Sequence, residues 1–227
     1  MKSLLYEQVA RIGKATASPK RLEIIELLCQ SEKTVDTLAS EAGISVKLAS
    51  AHLKVLRVAR LVEGRKDGRN IYYRLADSNV AEFWIALRTL AEERLLELQA
   101  ALGSMVAAPR ELVPAERREL IARAKAGEIV VIDVRPEPEY RTGHLPYARS
   151  LPLRELKLRL DELPKNKPIV AYCRGPFCLM APQAVEMLQA SGFRASRLED
   201  GVAEWRSRGF PIEIETERGS TRKRSLS

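Results

Sequence analysis

The chain has 227 residues, of which 45% are hydrophobic and 30% charged, a composition that supports buried cores and excludes a largely disordered protein. Its length exceeds the roughly 100–200 residues of one domain and favours two. The net charge of +8 favours a polyanionic partner. Three cysteines fit a reducing compartment rather than a disulfide framework. Because no apolar run reaches the roughly 20 residues of a membrane helix and residues 1–7 lack the long apolar core of a secretory signal, we expect a cytoplasmic protein without a membrane partner.

Residues 1–102 are expected to form a mainly α-helical domain with one β-hairpin. Helices are predicted over residues 6–17, 19–30, 34–42, 46 to about 60, and 83–102. Ser18, Thr34 and Ser45 are the expected N-caps, and Gly43 suits the left-handed position after a helix. Between residues 61 and 75 the hydrophobic period changes to two around Asp67-Gly68, which predicts a hairpin turn. Two helices joined by a tight turn and followed by a hairpin are typical of a winged helix-turn-helix.

A basic surface is predicted on the fourth helix and the hairpin. Between Lys47 and Arg74 lie eight basic and two acidic residues, a net charge of +6, and such a cluster binds phosphate backbones through counterion release. The candidate contacts to double-stranded operator DNA are Lys47, Ser50, His52, Lys54, Arg65, Lys66 and Arg69. His52 borders the apolar stripe of its helix, so a structural hydrogen bond and a phosphate contact remain equal alternatives. The alternative for the whole surface is that these charges only solvate a helix and a hairpin.

Strand and helix patterns alternate in the second half of the chain. We interpret residues 103–114 as a linker, 115–216 as an α/β domain and 217–227 as a disordered basic tail. Helices are predicted over 115–126, 153–163, 179–191 and 202–208, and strands over 129–134, 169–173 and 195–198. This alternation favours a mostly parallel sheet with helices on its faces.

The segment AYCRGPFCL, residues 171–179, runs from a predicted strand into a predicted helix. Cys173 therefore lies at the carboxyl end of a strand, where open parallel sheets bind ligands. The amide groups and the dipole at a helix start stabilise a thiolate, so we expect Cys173 to be a nucleophile. Arg174, Gly175 and Phe177 are the expected anion cradle, and Cys178 is a candidate resolving thiol. The alternatives are a structural thiol or a metal pair, although no matching second pair of ligands is present.

The segment SVKLASAHLKVLRVARLVEGRKDGRNIYYRL, residues 45–75, resembles the recognition helix and wing of ArsR/SmtB-type regulators. The resemblance covers about residues 1–100 and implies a homodimer, built on the first and last helices, that represses transcription until an inducer binds. The cysteines and histidines of metal-sensing members are missing here, so no metal is expected in this domain. Cys29 resembles one thiol of the pair used by persulfide-sensing relatives, without the second thiol. The alternative for Cys29 is a small buried hydrophobe.

The segments VVIDVRPEPEYRTGHLPYARSLPL and LEDGVAEWRSRGFPIE resemble the first and last signatures of the rhodanese family. With the loop between them, the resemblance covers about residues 115–215 and implies that Cys173 accepts a sulfane sulfur from a small donor and passes it to an acceptor. Two residues depart from the pattern: Pro176 removes one N–H donor from the loop, and Cys178 occupies its sixth position. Leu179 stands where phosphatase-type loops carry arginine, which argues against oxyanion-ester chemistry.

Together the two halves predict a transcriptional repressor that responds to reactive sulfur or to redox state, with no cofactor. Two alternatives stay open. One is a sulfurtransferase enzyme that its DNA-binding half merely localises, and the other is a regulator whose rhodanese half is a silent interaction module.

Overall fold

The computed structural model describes residues 1–105, 117–215 and 221–224. The chain divides into two compact units, residues 1–90 and 91–227. Among the described residues, no helix combines the length and the apolar character needed to cross a membrane.

The first unit packs helices around a small antiparallel sheet. Its elements are α1 (Lys2–Thr16), α2 (Pro19–Gln30), β1 (Lys33–Thr34), α3 (Val35–Glu41), α4 (Val46–Val58), β2 (Val62–Asp67), β3 (Asn70–Leu75) and α5 (Ser78–Arg94). The strand order is β1-β3-β2. The pairing of β2 with β3 runs from Val62 opposite Leu75 to Asp67 opposite Asn70. We call this hairpin the wing.

Most turns and helix caps of this unit lie where the sequence predicts them. The Thr34 hydroxyl accepts the Thr37 N–H at 3.2 Å, and the Ser45 hydroxyl accepts the Leu48 N–H at 3.2 Å. Gly43 has φ +61°, as expected after a helix. Ser18 occupies the N-cap position of α2, as predicted, but its hydroxyl accepts no capping hydrogen bond.

Several boundaries of the first half differ from the prediction: α1 begins at Lys2 rather than at residue 6, and α5 begins at Ser78 rather than at residue 83. The wing turns at Gly68-Arg69 rather than at Asp67-Gly68, with Gly68 at φ +58°. The predicted helix 83–102 is two helices, α5 and α6 (Leu96–Met105), which are interrupted at Leu95. Residues 103–105 of the predicted linker belong to α6, and residues 106–114 lie outside the described part of the chain.

The second unit is an α/β domain. Its further elements are α7 (Arg117–Lys125), β4 (Val130–Asp133), α8 (Glu137–Thr142), β5 (Arg149–Ser150), α9 (Leu153–Leu156), β6 (Ile169–Tyr172), α10 (Met180–Ala190), β7 (Ala195–Arg197), α11 (Val202–Ser207), β8 (Ile212–Glu215) and β9 (Thr221–Arg224). The strands β5-β4-β6-β7 form a parallel sheet in that order. The predicted helix 153–163 is only the short α9, followed by a 3₁₀ turn at Leu160–Glu162.

Successive residues of the central strands point to opposite faces of this sheet, and helices cover both faces. On one face Ile132 and Ala171 pack against α10 through Ala184 and Leu188. On the other face Val131 and Tyr172 pack within the cluster that includes Trp205 of α11. Burial on both faces explains why β4 and β6 are continuous apolar runs rather than alternating ones. Both strands end at the same edge, which positions the residues that follow them.

The C-terminal segment differs in part from the predicted disordered tail. Thr221–Arg224 forms β9, which pairs antiparallel with β8. The neighbouring residues 216–220 and 225–227 lie outside the described part of the chain. The start of β8 is linked to the loop after α8, because His144 and Glu213 exchange two backbone hydrogen bonds of 2.9 Å.

Candidate functional site

Helix α4 has one buried face and one exposed face. Ala49, Leu53 and Leu56 are at most 1% exposed and form the inward stripe that the sequence predicts. The predicted DNA contacts Lys47, Ser50 and Lys54 are all exposed. The exposed face also carries apolar side chains that the sequence analysis did not single out: Val46, Leu48, Val55 and Val58. Such side chains suit contact with thymine methyl groups in a major groove.

His52 is half-buried beside the inward stripe of α4. Burial lowers the pKa of its imidazole, and the nearby positive charge of Arg21 lowers it further. At neutral pH the ring is therefore uncharged, and an uncharged imidazole attracts phosphate less than a cation does. The role of His52 stays a prediction, with both alternatives open.

The basic residues of the wing are not equivalent. Lys66 and Arg69 are exposed at its tip. The Arg65 guanidinium binds Glu32 and lies 2.9 Å from the Asp67 carboxylate. Two carboxylates thus match the charge of Arg65, so among the predicted wing contacts we expect Lys66 and Arg69 to attract phosphate more strongly. This ion pair was not predicted from the sequence, because Glu32 lies 33 residues from Arg65 and outside the basic segment of residues 47–74.

Cys29 lies half-buried on the last turn of α2, between the buried Leu28 and Gln30. This exposure is compatible with both a sensor thiol and a small hydrophobe, and the role of Cys29 stays a prediction.

The cysteine loop, residues 173–178, connects β6 to α10. Cys173 directly follows the last residue of β6, is 3% exposed and belongs to the apolar cluster that α10 covers. Cys178 is half-buried against the same cluster. The predicted passage from a buried strand into a helix is therefore confirmed, and the two sulfur-bearing residues lie at the carboxyl edge of the sheet.

The Cys173 thiol is a hydrogen-bond donor held in an apolar setting. Its Sγ lies 3.5 Å from the carbonyl oxygen of Cys178, to which it donates. Burial raises the pKa of Cys173 well above its ordinary value, and the neighbouring Cys178 sulfur raises it further, against the opposing effect of the Ala181 and Gly175 N–H groups. The expectation that the helix start makes Cys173 ionise readily is wrong, because desolvation outweighs two amide donors.

Cys178 shows the behaviour that the sequence assigned to Cys173. The neighbouring Cys173 thiol lowers the pKa of Cys178 to about 7, despite burial. The N–H groups of Arg174 and Met180 and the charge of Arg174 act in the same direction. The two thiols therefore influence each other's ionisation and titrate as one pair.

Arg174 is part of a buried ion pair. Its Nη2 lies 2.5 Å and its Nε 3.0 Å from the two carboxylate oxygens of Glu139, a residue of α8 with no exposed surface. The positive charge expected for a sulfur anion is thus matched by a carboxylate. The pair ties the cysteine loop to α8 and brings together residues of two separate motifs.

The backbone of the cysteine loop packs tightly against the start of α11. Gly175 has φ +136°, and a Cβ there would lie 3.1 Å from the Glu204 carboxylate, which itself accepts the Gly201 N–H at 2.8 Å. A Cβ on Gly201 would overlap the carbonyl group of Arg174. The last rhodanese signature of the chain, which carries Gly201 and Glu204, therefore fixes the shape of the cysteine loop. This structural role was not predicted from the sequence. Phe177 is half-buried within the loop.

A buried polar network supports the strands below the loop. Arg135 and Asp133 have no exposed surface and form an ion pair with an Nη2–Oδ2 distance of 2.6 Å. The Tyr172 hydroxyl donates to Asp133 at 2.6 Å and accepts the Leu145 N–H at 3.1 Å. Because Tyr172 immediately precedes Cys173, this network positions the base of the loop. Within the described residues, no group of three or more histidine, cysteine or acidic side chains could hold a metal ion.

The fold, the exposed face of α4 with the wing, and the cysteine loop define a winged helix-turn-helix protein with a second, rhodanese-type α/β domain. Residues 18–64 match the family described as bacterial regulatory protein, arsR family, and residues 116–208 match the rhodanese-like domain. The chain is 42% identical over 212 residues to the HTH-type transcriptional regulator Rv0324 of Mycobacterium tuberculosis. The matched region covers 93% of each chain.

Two further relatives each match one part of the chain. A sulfurtransferase of Allochromatium vinosum is 31% identical over 90 residues, 39% of this chain and 82% of that protein. The solution structure of the homodimeric winged helix-turn-helix DNA-binding domain of Mb0332 from Mycobacterium bovis is 41% identical, with a TM-score of 0.40, and covers 42% of this chain and 89% of that chain. The chain belongs to the ArsR family of transcriptional regulators and carries a C-terminal rhodanese-like domain.

Proposed function

We propose that this regulator is a cytoplasmic, homodimeric repressor whose binding to operator DNA responds to reactive sulfur or to redox state through the cysteine loop. The observation that carries the proposal is the placement of two thiols in one loop at the carboxyl edge of the sheet, where the Cys173 Sγ lies 3.5 Å from the Cys178 carbonyl oxygen. The pKa of Cys178, lowered to about 7, supports it. A thiolate at neutral pH is the form that attacks sulfane sulfur. The same chain presents the exposed basic face of α4 and the wing.

The chemistry is a two-electron exchange within the loop. One loop thiolate attacks the outer sulfur of a persulfide or polysulfide, which forms a protein persulfide and releases the rest of the donor as a thiolate. The second loop thiol attacks the inner sulfur of that protein persulfide, forms the Cys173–Cys178 disulfide and releases sulfide. The two thiols are oxidised and the sulfane sulfur is reduced. The resemblance to the rhodanese family implies that Cys173 accepts the sulfur, and Cys178 is then the candidate resolving thiol; either order ends in the same disulfide.

Exposed apolar side chains on α1 and α5 support the homodimer. On α1 these are Leu4, Leu5, Tyr6 and Val9, which are 56–71% exposed, and on α5 they are Phe83 and Leu90. Large apolar side chains clustered on a surface mark protein–protein contacts. A second copy of the chain, docked through the same helices, would bury them and would present two α4 helices to a two-fold symmetric operator.

The test measures operator binding with and without polysulfide. A duplex selected from a random-sequence library by the reduced protein serves as the operator, and its affinity is compared for the wild type and for Cys173→Ser. Polysulfide should weaken the operator affinity of the wild type at least about tenfold, which corresponds to about 1.4 kcal/mol. The affinity of Cys173→Ser should not fall in this way, because the variant cannot form the loop disulfide. Equal responses of the two proteins would reject the coupling between loop and operator.

A sulfurtransferase enzyme is the second candidate function. It is favoured by the similarity to the sulfurtransferase of Allochromatium vinosum and by the loop N–H groups around both sulfurs. Steady release of product from thiosulfate or a persulfide donor, with unchanged operator affinity, would support it over the regulator.

A silent interaction module is the third candidate, and the raised pKa of the buried Cys173 favours it. Two loop thiols that stay unreactive toward polysulfide would support this third function.

A further inference from the structure

We infer that Val46 and Leu48, at the start of α4, are specificity-determining residues that select operator DNA by apolar contact with the methyl groups of thymine. This inference rests on the proposed binding of operator DNA through α4 and names what the helix reads there. It does not depend on the cysteine loop or on its chemistry.

Helix α4 carries few side chains that can read bases by hydrogen bonds. Its sequence, VKLASAHLKVLRV, contains no asparagine, glutamine, aspartate or glutamate. These residue types, together with arginine and lysine, make the most specific hydrogen bonds to base edges in a major groove. The one arginine of the helix, Arg57, lies in its last turn, whereas the second helix of a helix-turn-helix contacts base edges with residues near its N-terminus.

The polar side chains at the start of α4 provide little further discrimination between bases. The Ser45 hydroxyl caps the helix, because it accepts the Leu48 N–H at 3.2 Å. Lys47 and Ser50 are exposed, and each suits a single hydrogen bond to a base edge. His52 is half-buried beside the inward stripe of the helix. Recognition of further base pairs by this end of α4 therefore depends on apolar contact.

Val46 and Leu48 are aliphatic and yet 45% and 43% exposed. The core of the unit is built from other positions of the helix, such as the fully buried Ala49. The C5-methyl group of thymine is the apolar group that a base pair presents in the major groove, so an aliphatic side chain there distinguishes A·T from G·C pairs. Ala51, one turn after Leu48, is also exposed, and its small side chain allows the helix to approach the base edges closely.

The charges around these two side chains favour DNA over a protein as the molecule that covers them. Helix α4 has three exposed basic residues, Lys47, Lys54 and Arg57, and no acidic residue. Lys66 and Arg69 are exposed at the tip of the wing. Such a surface binds a phosphate backbone through counterion release. Apolar side chains surrounded by cations therefore suit a groove whose walls are phosphates and whose floor carries methyl groups.

The first test replaces thymine by uracil, which removes only the methyl group. The reduced full-length protein selects a duplex from a random-sequence library, and each thymine of the selected site is replaced in turn by deoxyuridine. We expect at least one position in each half-site at which the replacement weakens binding about fourfold, because burial of one methyl-sized group changes the affinity by about that factor. Replacement of a thymine that flanks the selected site is the control and should leave the affinity unchanged.

Matched variants of the protein locate the contact on α4. Val46→Ser and Val58→Ser make the same chemical change at opposite ends of the helix, about 18 Å apart along its axis. Both side chains are exposed, so neither change should disturb folding, which circular dichroism verifies. In Val46→Ser the loss of affinity caused by uracil should fall from about fourfold to less than about twofold at one position, and Leu48→Ala should do the same at another. Val58→Ser should keep the full loss at every position.

The possible outcomes separate the inference from the proposed function. Equal affinity for the thymine and uracil duplexes would overturn the inference and leave operator binding intact. A uracil effect that Val46→Ser or Leu48→Ala leaves undiminished would remove that residue from the readout. A library from which no duplex is enriched would overturn operator binding, and the inference with it. Because the uracil measurement uses the unsubstituted chain, a variant that fails to fold does not affect its result.

Discussion

The ion pair between Arg174 and Glu139 leads to a quantitative prediction for Arg174→Gln. Glu139 has no exposed surface and the Arg174 side chain is 15% exposed, so both charges lie largely out of water. Two unit charges about 4 Å apart attract by about 4 kcal/mol at an effective dielectric constant near 20. Removing one member of a buried pair typically costs about 3–5 kcal/mol, because the other charge stays desolvated. We therefore expect Arg174→Gln to destabilise the second unit by about 3–5 kcal/mol.

Urea unfolding can measure this loss for the second unit alone. The chain has two tryptophans, Trp84 in the first unit and the fully buried Trp205 in the second. In a Trp84→Phe background, the fluorescence of Trp205 reports the unfolding of the second unit. The matched control is Arg141→Ala, whose side chain is 64% exposed and forms an ion pair with Glu137. Its loss should be at most about 1 kcal/mol.

A double variant tests the physical reason for the loss. In Glu139→Gln/Arg174→Gln no buried charge is left without its partner, so much of the lost stability should return. The reasoning is refuted if Arg174→Gln costs no more than Arg141→Ala. It is equally refuted if the double variant is as unstable as the single variants combined, since the loss would then come from packing and not from charge.

Three further predictions concern the loop and the DNA surface. Gly201→Ala should destabilise the second unit by about 1–3 kcal/mol, measured by the same fluorescence, since the added methyl group would overlap the backbone of the cysteine loop; unchanged stability would contradict that contact. The alkylation rate of Cys178 should rise with pH and reach half its maximum near pH 7, because its thiol loses a proton there; Cys173→Ala removes the hydrogen-bond donor and should move this midpoint upward. Lys54→Ala should reduce the slope of log affinity for DNA against log salt by about 1, whereas Lys14→Ala, exposed on α1, should leave it unchanged; equal slopes for both variants would remove Lys54 from the interface.

Local signals in the sequence predicted much of the fold. Thr34, Ser45 and Gly43 mark helix ends through the chemistry of a few neighbouring atoms, and the structure confirms all three. The alternation of strands and helices likewise predicted the parallel sheet and the position of Cys173 at its edge. These features depend on residues close in sequence, which is why a single sequence reveals them.

Features that depend on distant residues were not predicted. Arg174 pairs with Glu139, 35 residues away, and Gly201 contacts a loop that lies more than 20 residues before it. The sequence predicted that Cys173 ionises readily, whereas burial raises its pKa; the helix start is visible in the sequence and the burial is not. A charge or a desolvation that the fold creates between distant segments leaves no local pattern.

The charge-matched guanidinium of Arg174 has a consequence for which molecules the loop admits. Thiosulfate is a dianion, and it would have to leave water for a loop where the Arg174 guanidinium already faces a carboxylate and where Pro176 offers no amide hydrogen. A hydropersulfide carries at most one negative charge and loses far less hydration on entry. We therefore expect small thiol persulfides to react with this loop faster than thiosulfate does.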